Sequence, residues 1–125
     1  MWIYLNNSHI SIVETPNWED NRKLDKDGNP YLSVRARNME DLIAFTGVED
    51  WEVHISPERD YMARVFLPRN QVSDLVAKAV ESIDYCNFKG SIPIQDNKRS
   101  LWYSAVWCEG VSQNPSSGIN DTRSH

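Results

Sequence analysis

Apolar and polar residues alternate from the first position of the chain, and the alternation matches itself when the chain is folded back. With Asn6-Asn7 as a two-residue turn, Ile3 pairs with Ile10, Leu5 with Ser8 and Met1 with Ile12. Those six positions then share one side, and Trp2, Tyr4, His9 and Ser11 share the other, as a period of two requires. Asn tolerates the positive φ that a type I′ turn needs, so residues 2–14 predict a β-hairpin. Further on, Leu32, Val34 and Ala36 alternate with Ser33, Arg35 and Arg37, which predicts a strand over 31–37. Asn38 then caps a short helix, with Asp41 as a capping-box variant, Met39, Leu42 and Ile43 as its apolar stripe and Gly47 at its left-handed end.

Two more strands follow in the pattern. Trp51, Val53 and Ile55 alternate with Glu52, His54 and Ser56, and Tyr61, Ala63, Val65 and Leu67 alternate with Met62, Arg64 and Phe66. Pro57-Glu58-Arg59-Asp60 is the turn between them, and Pro68 ends the second. The clearest signal lies at 70–84, where Val72, Leu75, Val76, Ala79, Val80 and Ile83 recur at helical spacing and predict a core-facing amphipathic helix. Residues 85–99 read as a connection. Over 100–109, alternation of Leu101, Tyr103, Ala105 and Trp107 suits a strand. Ser100 as N-cap and Gly110 beyond the end suit a helix with Leu101, Ala105 and Cys108 on one face, and the caps weigh more.

Strand, helix, strand, strand, helix from residue 31 onward makes most of a split βαβ unit. The expected fold is therefore α+β and ferredoxin-like: an antiparallel sheet with an N-terminal β-hairpin and helices packed on one face. One domain is expected over 1–111, with Trp51 and Trp107 in its core. A tail at 112–125, rich in Ser, Asn, Gly and Pro, is expected to be mobile. Residues 15–30 are polar, contain two prolines and form a loop long enough to be either functional or disordered.

Composition adds limits. Hydrophobic residues make up 40%, charged residues 25% and aromatic residues 10%, which is globular rather than disordered. The net charge of -5 leans against a general nucleic-acid binder but leaves room for a local basic patch. Cys86 and Cys108 are too few for a disulfide framework and read as reduced thiols. No run approaches the ~20 apolar residues of a membrane span, and the first residues lack the pattern of a signal peptide. A cytoplasmic protein with no membrane contact is expected.

Several segments together carry a resemblance: Met1-Trp2-Ile3-Tyr4-Leu5-Asn6-Asn7, Val34-Arg35-Ala36-Arg37, Asp60-Tyr61, Phe66-Leu67-Pro68-Arg69, Ile83-Asp84-Tyr85-Cys86-Asn87-Phe88-Lys89 and Trp107. Over roughly residues 1–109 the chain resembles a family of small bacterial hypothetical proteins found among mobile-element and phage-related genes. The resemblance implies no established activity. The loop at 15–30 and the tail after Gly110 depart from that pattern.

No catalytic constellation is visible. Cys86 with His54 or His9 would need the fold to join thiol and base, and nothing supplies an oxyanion hole. Asp25-Lys26-Asp27-Gly28-Asn29 has its Gly too early for a calcium loop and reads as a turn. The histidines are scattered, with no metal-binding spacing, and no cofactor motif is present. Two binding sets remain. Arg35, Arg37, Arg64 and Phe66 would share one sheet face and suit phosphate contact and base stacking, unless Glu52 pairs with the arginines or another element covers them. Asp84, Tyr85, Asn87 and Lys89 either finish the helix structurally or form a recognition edge for a protein partner, with Trp18 of the long loop as a further contact. The expectation is a small non-catalytic binding or adaptor protein acting through protein contacts, a modulator of mobile-element or phage origin. The alternative is a nucleic-acid or nucleotide binder using the arginine face.

Overall fold

The first strand pair has the register that the alternation predicts. In a computed structural model describing residues 1–20 and 22–112, β1 (Trp2–Tyr4) runs antiparallel to β2 (His9–Glu14), with Ile3 opposite Ile10. Leu5 N donates to Ser8 O at 2.8 Å and Ile12 N to Met1 O at 2.8 Å, so all three expected pairs form. The turn itself differs. Positive φ among the described residues is confined to Gly28 and Gly47, so Asn6-Asn7 closes the hairpin without the left-handed geometry that costs a residue with a Cβ about 1–2 kcal/mol.

β3 (Leu32–Ala36), β4 (His54–Ile55) and β5 (Ala63–Leu67) complete a five-stranded sheet in the order β1-β2-β3-β5-β4, every neighbouring pair antiparallel. β5 therefore lies between β3 and β4, and β2 occupies the other side of β3. The protein is α+β, with an antiparallel sheet and an N-terminal hairpin.

One sheet face carries Ile10, Ile12, Val34, Ala36, Ala63, Val65 and Leu67. Onto it pack Leu42 and Phe45 of α1 (Met39–Thr46), and Val72, Leu75, Val76 and Ala79 of α2 (Arg69–Glu81). Each large aliphatic side chain fully withdrawn from water here contributes about 1.5–3 kcal/mol. Asn38 caps α1 by accepting from Asp41 N at 2.8 Å, and Gly47 ends it with φ 71°. The buried side of α1 is Asp41, Leu42, Phe45 and Thr46, rotated from the expected stripe of Met39, Leu42 and Ile43. Asp41 is buried because its Oδ2 accepts from His9 N at 3.0 Å, which ties the first turn of α1 to β2. Val80 and Ile83, expected in the core, are exposed because α2 runs past the sheet contact and stops at Glu81.

The strand expected at 51–56 shrinks to the two residues of β4. Asp50–Glu52 form a 3-10 turn held by a reciprocal capping box in which Glu49 N donates to Glu52 Oε2 at 2.8 Å. Trp51 rides on that turn, 78% exposed, and is not a core residue.

The chain divides into two units, Met1–Tyr85 and Cys86–His125. The second contains α3 (Phe88–Ser91), within the segment read as a connection, and α4 (Asn97–Ser112). α4 is the helix that the caps favour, but it starts ahead of Ser100. Asp96, immediately before it, accepts from Arg99 N at 3.3 Å. Gly110 lies inside the helix rather than past its end. Its buried aromatic is Tyr103, stacked on Phe88 at 5.7 Å between centroids, whereas Leu101, Ala105 and Cys108 are exposed. Trp107, expected in the core, is also exposed and lies under the Lys89 Nζ at 4.5 Å. The expected mobile tail falls, from residue 113 on, outside the described residues. Among the described residues no helix is long and apolar enough to cross a membrane.

Candidate functional site

On the sheet face opposite the helices, the period of two puts Ser33 and Arg35 of β3 beside Phe66 and Arg64 of β5. The register sets Arg35 directly opposite Arg64, and Ser33 opposite Phe66. Arg64 is only 7% exposed and donates from Nη2 to Tyr61 O at 2.9 Å. Arg35, half-buried, donates from Nη2 to Ser11 Oγ at 2.6 Å, and its guanidinium carbon sits 4.8 Å from the Tyr61 ring centroid. Arg37 approaches the same ring at 6.0 Å. Phe66 is turned toward His54 of β4, ring to ring at 5.2 Å.

The arginine pair is electrostatically stressed. Among the described residues no carboxylate lies within 4.0 Å of either guanidinium. Burial, first of all, lowers the pKa of Arg64, and the positive charges of Arg59 and Arg35 push it the same way against weaker support from Glu19 and Glu58. Burial likewise lowers that of Arg35, opposed by Tyr61. Both groups stay charged at any ordinary pH, so the stress is borne as charge and not relieved by deprotonation. Three polar atoms at this place, Arg35 Nε, Arg64 Nε and Ser33 Oγ, are buried with no hydrogen-bond partner among the described residues. Each such atom costs about 1–3 kcal/mol if nothing else satisfies it.

A wall rises beside the pair from the loop at 15–30. Thr15 donates through Oγ1 to Tyr31 O at 2.7 Å, anchoring the loop base, and Asp25 Oδ1 accepts from Asp27 N and Asn29 N at 2.9 Å, making its tip a turn around Gly28. Arg59 bonds Glu19 at 3.3 Å and lies 5.4 Å over the Trp18 ring. The result is a groove of about 410 Å³ whose lining includes Trp18, Ser33, Arg35, Arg59, Tyr61 and Arg64. A second recess of about 520 Å³ is bounded by Trp2, Arg37, Asp60 and Tyr61.

The alternation at 61–67 predicts Tyr61 on the core side, with Ala63 and Val65. Its ring is instead on the arginine side, 6.3 Å from His9, because β5 begins only at Ala63 and the chain before it still belongs to the turn. Tyr61, Ser33, Arg59 and Trp2 are the members of this site that sequence reasoning missed. Glu52, a possible partner of the arginines, is engaged in its own capping box.

The other expected set is spread over both units. Asp84 is exposed, and Tyr85 is half-buried in a shallow groove of about 240 Å³ with Leu5, Phe45, Leu75 and Ile83. Asn87 caps α3 by accepting from Gly90 N at 3.2 Å, and Lys89 lies over Trp107. Trp18 is in the arginine groove. Among the described residues no group of three or more His, Cys, Asp or Glu is placed to hold a metal ion. The fold and site thus define an α+β protein with a basic, aromatic-walled sheet face. Comparison with protein-family models, curated proteins and solved structures gives no match for the chain.

Proposed function

We propose that the protein is a non-catalytic binding module that takes a phosphate-bearing partner, a nucleic acid or a nucleotide, on the arginine face of its sheet. The observation that carries this is the Arg35–Arg64 pair: two largely desolvated guanidiniums set opposite one another, with no carboxylate within 4.0 Å of either among the described residues and with buried Nε–H donors unsatisfied there. A phosphate offers the missing negative charge and several acceptors at once, and charge-assisted hydrogen bonds of this kind contribute about 1.5–3 kcal/mol each. Tyr61 and Trp18 supply ring faces beside the charge, as base recognition requires. The overall charge of -5 confines the attraction to this patch.

The framework supports a ferredoxin-like reading. α1 links β3 to β4, these two strands run the same way, and β5 lies between them, with β2 where the strand after α2 would stand. A cytoplasmic location suits the two exposed free thiols, Cys86 and Cys108.

Titration of a labelled single-stranded oligonucleotide by fluorescence anisotropy near physiological salt tests the proposal. Wild type is expected to bind, and Arg35→Gln with Arg64→Gln to weaken binding at least about 100-fold, as loss of two charge-assisted contacts implies. Absence of binding, or equal affinity of the double variant, would contradict it.

A protein-binding adaptor, of the kind mobile elements use as modulators, is the second reading. It is favoured by large apolar side chains left in water, notably Ile94 at 96% exposure, together with Trp51. Capture of a protein partner that is insensitive to the arginine substitutions but lost in Trp51→Ala or Ile94→Asp would support it over the first.

A further inference from the structure

Two recesses, not one, open on the arginine face, and Tyr61 is the partition between them. The first combines Arg35 and Arg64 with the ring of Trp18, and the second combines Arg37 with the ring of Trp2. Both indoles are mostly exposed, at 69% for Trp18 and 64% for Trp2, so each has a face to offer. Beneath the surface the buried His9 ring links the two: Trp2 is 6.3 Å from His9, and His9 is 6.3 Å from Tyr61. Arg35 of the first recess and Arg37 of the second both approach the Tyr61 ring, at 4.8 Å and 6.0 Å, so positive charge from each recess reaches the partition.

A mononucleotide has one base and can fill only one such recess. We infer that the pair of recesses takes successive nucleotides of one single strand, with phosphates over the arginines and bases against Trp18 and Trp2. Asp60 borders both recesses and repels a phosphate from their shared wall, leaving that wall to a base amino group or a sugar hydroxyl. A duplex keeps its bases stacked inside and cannot present them to the indoles. Sequence tolerance follows, since every base has a ring face.

This inference rests on the phosphate-binding reading above, and the two can fail separately. The probes are a short oligouridylate, the matching oligodeoxythymidylate, a duplex of similar length and uridine monophosphate, titrated against wild type, Trp2→Ala and Arg35→Gln. Either single strand is expected to bind about tenfold or more tighter than the mononucleotide, the worth of one further stacked base. Trp2→Ala should remove most of that gain, bringing strand and mononucleotide affinities close together, while Arg35→Gln weakens both. Equal affinity for strand and mononucleotide, duplex binding as tight as single-strand binding, or an unaltered Trp2→Ala profile would overturn the inference. Any of these with Arg35→Gln still weakening the mononucleotide would leave the parent reading standing. Insensitivity to Arg35→Gln would overturn both. Trp2 is exposed on a sheet edge, so its loss does not threaten folding, and Arg37→Gln, expected to lower strand affinity more than mononucleotide affinity, provides an independent check.

Discussion

Arg35 of β3 and Arg64 of β5 stand directly opposite each other in the sheet, and each spends one Nη2 donor on a neutral oxygen, Ser11 Oγ for the first and Tyr61 O for the second. Like charges at directly opposed positions destabilise a sheet, and burial adds to the penalty. Removing one charge should relieve both. Arg35→Gln is therefore expected to leave folding stability unchanged or raise it by up to about 1 kcal/mol in a denaturant titration, even as oligonucleotide affinity falls. A clear loss of stability would mean that the pair serves the fold rather than a ligand.

Tyr61 acts through its ring, which receives two guanidiniums, while its carbonyl serves Arg64 whatever the side chain is. Tyr61→Phe should match wild type in stability and binding. Tyr61→Ala should lose about 0.5–1 kcal/mol of cation–π stabilisation and lower oligonucleotide affinity, measured by denaturation and anisotropy on the same samples.

Gly47 ends α1 with φ 71°, and its amide donates to Ile43 O at 2.8 Å. There is open space where a Cβ would sit, so the cost of Gly47→Ala is conformational and should be about 1–2 kcal/mol. Gly47→Asn should cost less, since Asn tolerates the left-handed region. Chemical denaturation of the two variants gives the comparison.

Asp96 precedes α4 and its carboxyl is held below the usual range, chiefly by the hydrogen bond from Arg99 Nε at 2.7 Å. A carboxylate with a depressed folded-state pKa adds stability above its unfolded value of about 3.9, and that stability is lost as pH falls through the lower folded value. Asp96→Ala should thus cost about 0.5–2 kcal/mol at neutral pH, as loss of a cap does. The gap from wild type should shrink below about pH 4, followed by far-ultraviolet circular dichroism during denaturation.

Periodicity made much of the framework legible. The hairpin register, the core faces of β3 and β5, the Asn38 and Gly47 caps and the Val72–Ala79 stripe of α2 all depend on near neighbours in sequence. Parity misleads where a strand begins later than its pattern does. Tyr61 keeps the alternation of β5 but lies before Ala63, so its ring is free to turn to the other face. Trp51 likewise fits an alternating run that the Glu49–Glu52 box bends into a 3-10 turn. The arginine face was visible as residues of one parity. The opposition of Arg35 to Arg64 required the register of distant strands, and the Trp18 wall depends on the Arg59–Glu19 bond between remote segments.

The central claim, that Arg35 and Arg64 await a phosphate, is tested most directly by following arginine Nε–H resonances in a ¹H–¹⁵N spectrum as a short single-stranded oligonucleotide is added. The Arg35 and Arg64 signals should shift together and saturate at the binding stoichiometry. Signals from this pair that stay in place while the oligonucleotide binds, or while any phosphate-bearing ligand moves other residues, would contradict the account.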